Sequence, residues 1–96
     1  MKKPVWVRKP TEEQKARLEA CNTWERAPDR WDCTREEREE TFYVAEGRGL
    51  VELAADGTRY RFTVGDLVTF QPHEAGEWAW TVEEKIKKHY IFDMNK

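Results

Sequence analysis

Three side chains in this sequence have the chemistry of ligands, nucleophiles or proton-transfer groups: Glu40, Cys33 and His89. A carboxylate can bind a metal or orient a ligand, and a thiolate can act as a ligand or a nucleophile. The imidazole of His89 has a reference pKa near neutrality, which suits either a ligand or an acid–base group. Each also has a plainer interpretation, as a solvated charge, a small buried thiol and a hydrogen-bonded structural histidine. We therefore treat all three as candidate ligand-binding residues and assign no catalytic residue.

Aromatic residues accompany these groups at the spacing of a β-strand. Phe42 lies two positions after Glu40, and Trp78 and Trp80 are also two positions apart. Side chains at i and i+2 of a strand point to the same face, so the sequence predicts an apolar wall beside Glu40. Such a wall suits a small-ligand pocket, although barrel packing alone would produce the same pattern.

The remaining polar candidates favour surface positions. Arg35 could pair with Glu40 or hold an anion, but it stands among glutamates and is expected at the surface. His73 is predicted in an exposed turn. Lys85, Lys87 and Lys88 form a short basic cluster, which more often marks a solvated face than a phosphate site.

The elements that must position these residues begin with a strand and a helix. Residues 4–9 alternate as a short strand, and Pro10 ends it. Thr11 and Gln14 form a capping box, which predicts a surface helix from Thr11 to Ala20 with Asn22 as a stop signal. Residues 35–40 are predicted as a loop that enters a strand.

A hairpin is the clearest local signal. Asp56-Gly57 favours a two-residue turn, which would pair Leu53 with Tyr60 and Val51 with Phe62 and leave one face wholly apolar. Further strands are predicted at 67–70, 78–82 and 86–92, with a turn at 83–85. Many short strands with Gly, Pro and Asp between them indicate an all-β jelly-roll barrel with one short N-terminal helix.

Length and charge limit the class of protein. Ninety-six residues make one domain, with an N-terminal strand and helix in 1–22 and a barrel in 23–96. A net charge of −2 argues against nucleic-acid binding, and the apolar runs are too short to cross a membrane. No secretory signal pattern follows Met1, and two cysteines make no disulfide framework, so we expect a cytoplasmic protein.

Two segments resemble the motifs of the cupin superfamily, the first at 40–47 (ETFYVAEG) and the second at 64–72 (VGDLVTFQP). Trp80 and the run Lys88-His89-Tyr90 make the chain similar to the small single-domain cupins related to ureidoglycine aminohydrolases. The resemblance covers residues 24–92 and implies a jelly-roll barrel. It also implies a manganese-type metal site in which Glu40 is a ligand.

The sequence departs from the metal-binding pattern that the resemblance implies. Cys33 and Arg35, or Thr34 and Glu36, occupy the positions of the first two histidines, and Glu77 occupies that of the third. Only the glutamate remains. We therefore expect no secure cofactor, although a divalent metal such as manganese stays open.

These observations predict a small-molecule-binding cupin of unknown ligand, with the barrel lumen as its site. The alternative is a metal-dependent enzyme that acts on a small ureido or amide metabolite, with Glu40, His89 and Cys33 as ligands. A homodimer is also expected, because residues 5–8 could add a strand to a neighbouring sheet.

Overall fold

Two long bent strands form the centre of the fold in the computed structural model, which describes residues 3–95. The elements are β1 (Val5–Arg8), α1 (Glu12–Glu19), β2 (Asn22–Arg26), β3 (Asp29–Asp32), β4 (Glu40–Leu53), β5 (Arg59–Thr63), β6 (Leu67–Phe70) and β7 (Trp78–Phe92). The predicted all-β jelly-roll architecture with one short N-terminal helix is confirmed. Residues 3–95 contain no helix long and apolar enough to cross a bilayer.

The strands β4 and β7 pair with each other along most of their length and carry different neighbours at their two ends. The strand order is β1-β6-β4-β7-β2, while β5 pairs with β4 and β3 pairs with β7. The first part of β4 lies between β6 and the end of β7, and its second part lies between β5 and the start of β7. Both halves of the two long strands therefore contribute to one sheet that folds over a common core.

Gly47 allows β4 to bend against β7. Its φ of 77° lies in the left-handed region, and the pairing register shifts on both sides of it. A Cβ at this position would lie 2.7 Å from the carbonyl oxygen of Glu84 and would also collide with that of Lys85. The predicted turn at 83–85 is wrong, because these residues continue β7 through the bend. The Glu46-Gly47 pair lies within β4.

The hairpin between β4 and β5 has a longer loop than predicted. Val51 pairs with Tyr60, not with Phe62, and the amide of Leu53 donates to the carbonyl of Thr58. Residues 54–57 therefore form the loop, with Gly57 at a φ of 74°. The predicted register is wrong by two residues. A shift of two leaves every side chain on its predicted face, so Val51 and Phe62 remain buried.

The helix α1 begins as predicted and covers the outer face of the sheet. Thr11 is the N-cap, and its side chain and that of Gln14 make the reciprocal hydrogen bonds of a capping box. Leu18 is fully buried and packs with Tyr43 and Leu67. This one apolar contact lets a largely polar helix close one side of the sheet.

The segment between α1 and β4 contains two strands that the sequence did not predict. Both β2 and β3 pair with β7, and Ala27-Pro28 separates them. Each strand carries one tryptophan among polar residues, Trp24 in β2 and Trp31 in β3. One apolar residue in four or five gives too little alternation to predict a strand.

The core lies between the folded-over halves of the sheet and is rich in aromatic side chains. Its buried members are Val5, Cys33, Phe42, Val44, Val51, Phe62, Val68, Phe70, Trp78, Trp80, Val82 and Ile86. The strand β1 pairs only with β6 among the described residues and so lies at one edge of the sheet. The homodimer expected through this strand stays a prediction.

Candidate functional site

A cavity of about 120 Å³ opens into the barrel lumen beside the first residue of β4. Aromatic side chains and two carboxylates form most of its lining, which consists of Trp31, Cys33, Thr34, Glu36, Glu40, Phe70, His73, Trp78 and Trp80. Four of the six predicted site residues, Cys33, Glu40, Trp78 and Trp80, lie together in this lining. Phe42 is fully buried behind it, in edge contact with Phe70.

Glu40 reaches the lumen because it begins β4 opposite Phe70 of β6 and Phe92 of β7. Its side chain is 16% exposed. Phe42 and Val44 follow it on the same face of the strand, as the alternation predicted, and both are fully buried. The carboxylate therefore lies at the open end of an otherwise apolar row.

The partner of Glu40 is Lys88. The Lys88 Nζ donates to Glu40 Oε2 over 2.9 Å, and the side chain of Lys88 is only 8% exposed. Lys88 is opposite Val44 in the β4–β7 register, while Glu40 is opposite Phe92, so the lysine side chain extends along the inner face to reach the carboxylate. A nearly buried lysine is rare unless it is paired, and this pair neutralises both charges.

The second oxygen of Glu40 has no such partner. Among residues 3–95, Oε1 receives no hydrogen bond, whereas Oε2 is occupied by Lys88. Glu40 thus offers one free acceptor to the cavity that it lines.

Lys88 was not predicted as a site residue, because its neighbours Lys85 and Lys87 make it part of a basic cluster that is typical of a solvated face. The useful signal was the strand period, since Lys88 lies two positions from both Ile86 and Tyr90. All three belong to the inward row of β7, and Ile86 is fully buried.

His89 points to the opposite face of the sheet from Glu40. Its Nδ1 lies 3.2 Å from the hydroxyl of Thr23, in an exposed pair on the outer side of β2 and β7. Neighbouring residues of a strand face opposite sides, and Lys88 points inward. The structure therefore separates His89 from the cavity and from the other predicted site residues.

The histidine that lines the cavity is His73 and not His89. It pairs with Glu36 in an isolated bridge, and its ring centroid lies 4.0 Å from that of Trp78. Its Nδ1 lies 2.9 Å from the carbonyl oxygen of Gln71, which can only accept, so Nδ1 carries a proton. In the neutral ring, Nε2 is then an acceptor. His73 was expected in an exposed turn, but it is half-buried in the lining of the cavity.

The thiol of Cys33 is engaged with the backbone of the loop that follows β6. Its Sγ donates to the carbonyl of Glu74 over 3.5 Å and accepts the amide of Trp78 over 3.4 Å. Cys33 is buried, so these contacts fix the loop against β3. Cys33 therefore has a structural role at the wall of the cavity.

Two further polar groups belong to residues of the cavity lining. The indole Nε1 of Trp78 is buried and has no acceptor among the described residues, which is costly for a donor. At the mouth, hydrogen bonds from the side chain of Arg38 lower the pKa of Glu36, with burial opposing the effect. Glu36 is therefore ionised at neutral pH.

The residues of this site do not fit a divalent metal. Glu40 is bound to an ammonium, Cys33 to backbone groups, and His89 lies on the other face. Within residues 3–95, no three His, Cys, Asp or Glu side chains come together as a ligand set. A metal-dependent reaction on a ureido or amide compound, the alternative that the resemblance implied, would need ligands that these residues do not bring together.

Comparisons with known proteins agree with the fold. A family model described as an EutQ-like cupin domain matches residues 13–90. No curated protein sequence matches the chain. A DUF861 family protein from Thermotoga maritima is 33% identical, with a TM-score of 0.78, over 92% of this chain and 98% of its own.

Two EutQ structures share the fold at lower identity. The Clostridium difficile EutQ protein is 18% identical with a TM-score of 0.61, and the match covers 92% of this chain and 66% of that one. A protein described as ethanolamine utilization protein Q from Salmonella typhimurium is 16% identical with a TM-score of 0.50, covering 92% and 68%. Each of these likenesses covers 92% of this chain.

Proposed function

The chain belongs to the family of EutQ-like cupin domains, and on that premise we propose that its lumen binds a small, neutral, polar molecule. The observation that carries the proposal concerns Glu40, which lines an aromatic-walled cavity: Lys88 holds its Oε2, and its Oε1 accepts no hydrogen bond from residues 3–95. A carboxylate oxygen left beside apolar walls is best satisfied by a donor from a ligand.

The charge of the site favours a neutral ligand. Lys88 compensates the charge of Glu40 in the lining of the cavity, and Arg38 pairs with Glu36 at its mouth. A ligand with a net charge would lose its hydration beside the tryptophan rings. Because both carboxylates are already paired, it would find no unpaired opposite charge in the site to compensate that loss. A neutral molecule with N–H or O–H groups meets no such cost.

The carboxylate of Glu40 defines where such a molecule would be held. A donor on the ligand would satisfy Glu40 Oε1, whereas the Nε1 of Trp78 is buried beneath the surface of the wall. Trp31 and Trp80, which stack on each other with ring centroids 5.5 Å apart, supply the apolar part of the wall. The volume of 120 Å³ limits the bound part to a few heavy atoms, since a water molecule takes about 30 Å³ of liquid volume.

The experiment is a thermal-shift screen of the purified chain against pools of small polar metabolites, followed by calorimetric titration of any compound that raises the melting temperature. A ligand that binds only the folded state raises the melting temperature, and the rise grows with the logarithm of the ligand concentration above its Kd. We expect neutral compounds with N–H or O–H groups to produce the shift.

A pair of matched variants locates the site. Glu40→Gln replaces an acceptor oxygen in the cavity and should abolish the shift. Glu39→Gln changes the neighbouring carboxylate, which accepts from Gln71 and Asn95 elsewhere, and should retain the shift. A screen in which no pool shifts the wild-type protein, or a shift that survives Glu40→Gln, would contradict the proposal.

A further inference from the structure

The ammonium of Lys88 is surrounded by aromatic rings as well as by the carboxylate of Glu40. The four ring centroids lie within 6 Å of Nζ, at 4.3 Å for Phe42, 4.7 Å for Trp24, 5.1 Å for Trp80 and 5.8 Å for Tyr90. We call this set of rings, together with Glu40, the ammonium cage.

Three strands build the cage. Trp24 of β2 is directly opposite Lys88 in the register, and Phe42 of β4 is opposite Tyr90. Tyr90 follows Lys88 by two residues on the same face of β7. The lysine side chain therefore passes over Phe42 on its way to Glu40, and the rings close around its end.

Such a cage suits an ammonium group. The π faces carry partial negative charge and attract a cation, more strongly when the site is desolvated. The carboxylate adds one charge-assisted hydrogen bond of 2.9 Å. Together they replace the water that a nearly buried lysine loses.

We propose that Lys88 is an internal ligand of a cation site in the lumen, and that this site selects a primary ammonium group and not a metal ion. Glu40, which the resemblance implied as a metal ligand, here has the role of anchoring that ammonium. The proposal rests on contacts within the chain and holds whether or not the lumen binds a small molecule.

The donor chemistry of the cage explains this preference. A divalent metal needs several lone pairs from oxygen, nitrogen or sulfur at about 2 Å. The cage supplies one carboxylate, and its four rings offer faces without such lone pairs, apart from the peripheral hydroxyl of Tyr90. An ammonium with a short alkyl chain can satisfy one N–H on the carboxylate and place the rest of its surface against the rings.

The test is chemical rescue of Lys88→Ala. This substitution removes three methylenes and the ammonium, a fragment that propylammonium reproduces. We expect propylammonium chloride to raise the melting temperature of the variant by several degrees, with the logarithmic dependence on concentration that a specific site gives. Wild type should show no such rise, because its cage is already filled.

Controls separate the cage from general solvent effects. Lys87 lies on the same strand, with its Nζ 3.9 Å from Glu46 Oε2. The melting temperature of Lys87→Ala should not rise with propylammonium. The double variant Glu40→Gln/Lys88→Ala should lose the rescue. In Lys88→Ala, 1-propanol, sodium chloride and manganese chloride should each fail to reproduce it.

Two results would overturn the proposal. One is rescue by propanol or sodium chloride equal to that by propylammonium. The other is stabilisation of Lys88→Ala by manganese but not by propylammonium, which would make the site a metal site. If Lys88→Ala does not fold, NMR of the wild-type protein decides. Ring currents should then move the ε-methylene protons of Lys88 well upfield, and a chemical shift equal to that of exposed lysines would contradict the cage.

Discussion

Lys88 and Glu40 are 48 residues apart in the chain, and the Lys88 Nζ lies 2.9 Å from the Glu40 Oε2 at the inner face of the sheet. The pair joins the start of β4 to the end of β7, the two strands that carry most of the fold. It also leaves the other oxygen of Glu40 to the cavity. The same ion pair therefore connects the two long strands and determines which oxygen of Glu40 is left to accept a hydrogen bond from a ligand.

The first prediction concerns metal. Because Lys88 already neutralises Glu40, we expect the protein purified without chelators to hold only trace amounts of transition metal. Its melting temperature should be the same with and without EDTA, since a structural metal would stabilise the folded state by binding it. Elemental analysis and a paired thermal scan measure both. Stoichiometric metal, or a fall in melting temperature with EDTA, would contradict the claim that Lys88, and no metal ion, neutralises Glu40.

The second prediction concerns the bend of β4. Gly47→Ala should destabilise the fold by more than about 2 kcal/mol, because it adds the strain of a positive φ to a collision with the backbone of β7. Gly57→Ala is the matched control. Its φ is 74°, close to the 77° of Gly47, but a Cβ there would meet open space, so the cost should be about 1 kcal/mol.

Urea unfolding of the two glycine variants gives the comparison. If the two substitutions cost the same, the close approach of β4 and β7 at Gly47 is not a constraint on the fold.

The third prediction concerns the carboxyl of Glu36 at the mouth of the cavity. Hydrogen bonds from Arg38 lower its pKa from the ordinary value of 4.5. A depressed pKa in the folded state means that the pair stabilises the protein above pH 4.5 and loses that contribution as the pH falls through the depressed value. Arg38→Gln should therefore return the pKa of Glu36 toward its ordinary value.

Carbon-13 NMR titration of the glutamate carboxyls measures this pKa directly. Arg35→Gln is the control, because Arg35 pairs with Glu37 and Glu74 and should leave Glu36 unchanged. An unaltered Glu36 titration in Arg38→Gln would mean that another group sets its pKa.

Local signals in the sequence predicted the elements whose cause is local. The capping box of Thr11 and Gln14 specified the start of α1, and the short run of residues 67–70 after Gly65-Asp66 indicated β6. The hairpin loop was harder, because Asp56-Gly57 fits both a two-residue and a four-residue loop. The choice depends on how β4 pairs with β7 on its other side.

Long-range pairing decided the rest. The charges at 83–85 looked like a turn, yet β7 continues through them because β4 bends beside it at Gly47. The strands β2 and β3 exist through their pairing with β7, and their own residues give little signal. The position of Lys88 in the site also depends on long-range pairing, because its partner Glu40 and the ring of Trp24 come from distant strands.

A double-mutant cycle between Lys88 and Glu40 tests the account most directly. Lys88→Met and Glu40→Gln, each measured by urea unfolding, should cost on the order of 3 kcal/mol, because each leaves one charge unpaired in the lumen. Together they should cost much less than the sum, with a coupling above about 1.5 kcal/mol. Additive costs, with no coupling between the two residues, would contradict the central claim that this pair is the fixed cation and anion of the lumen.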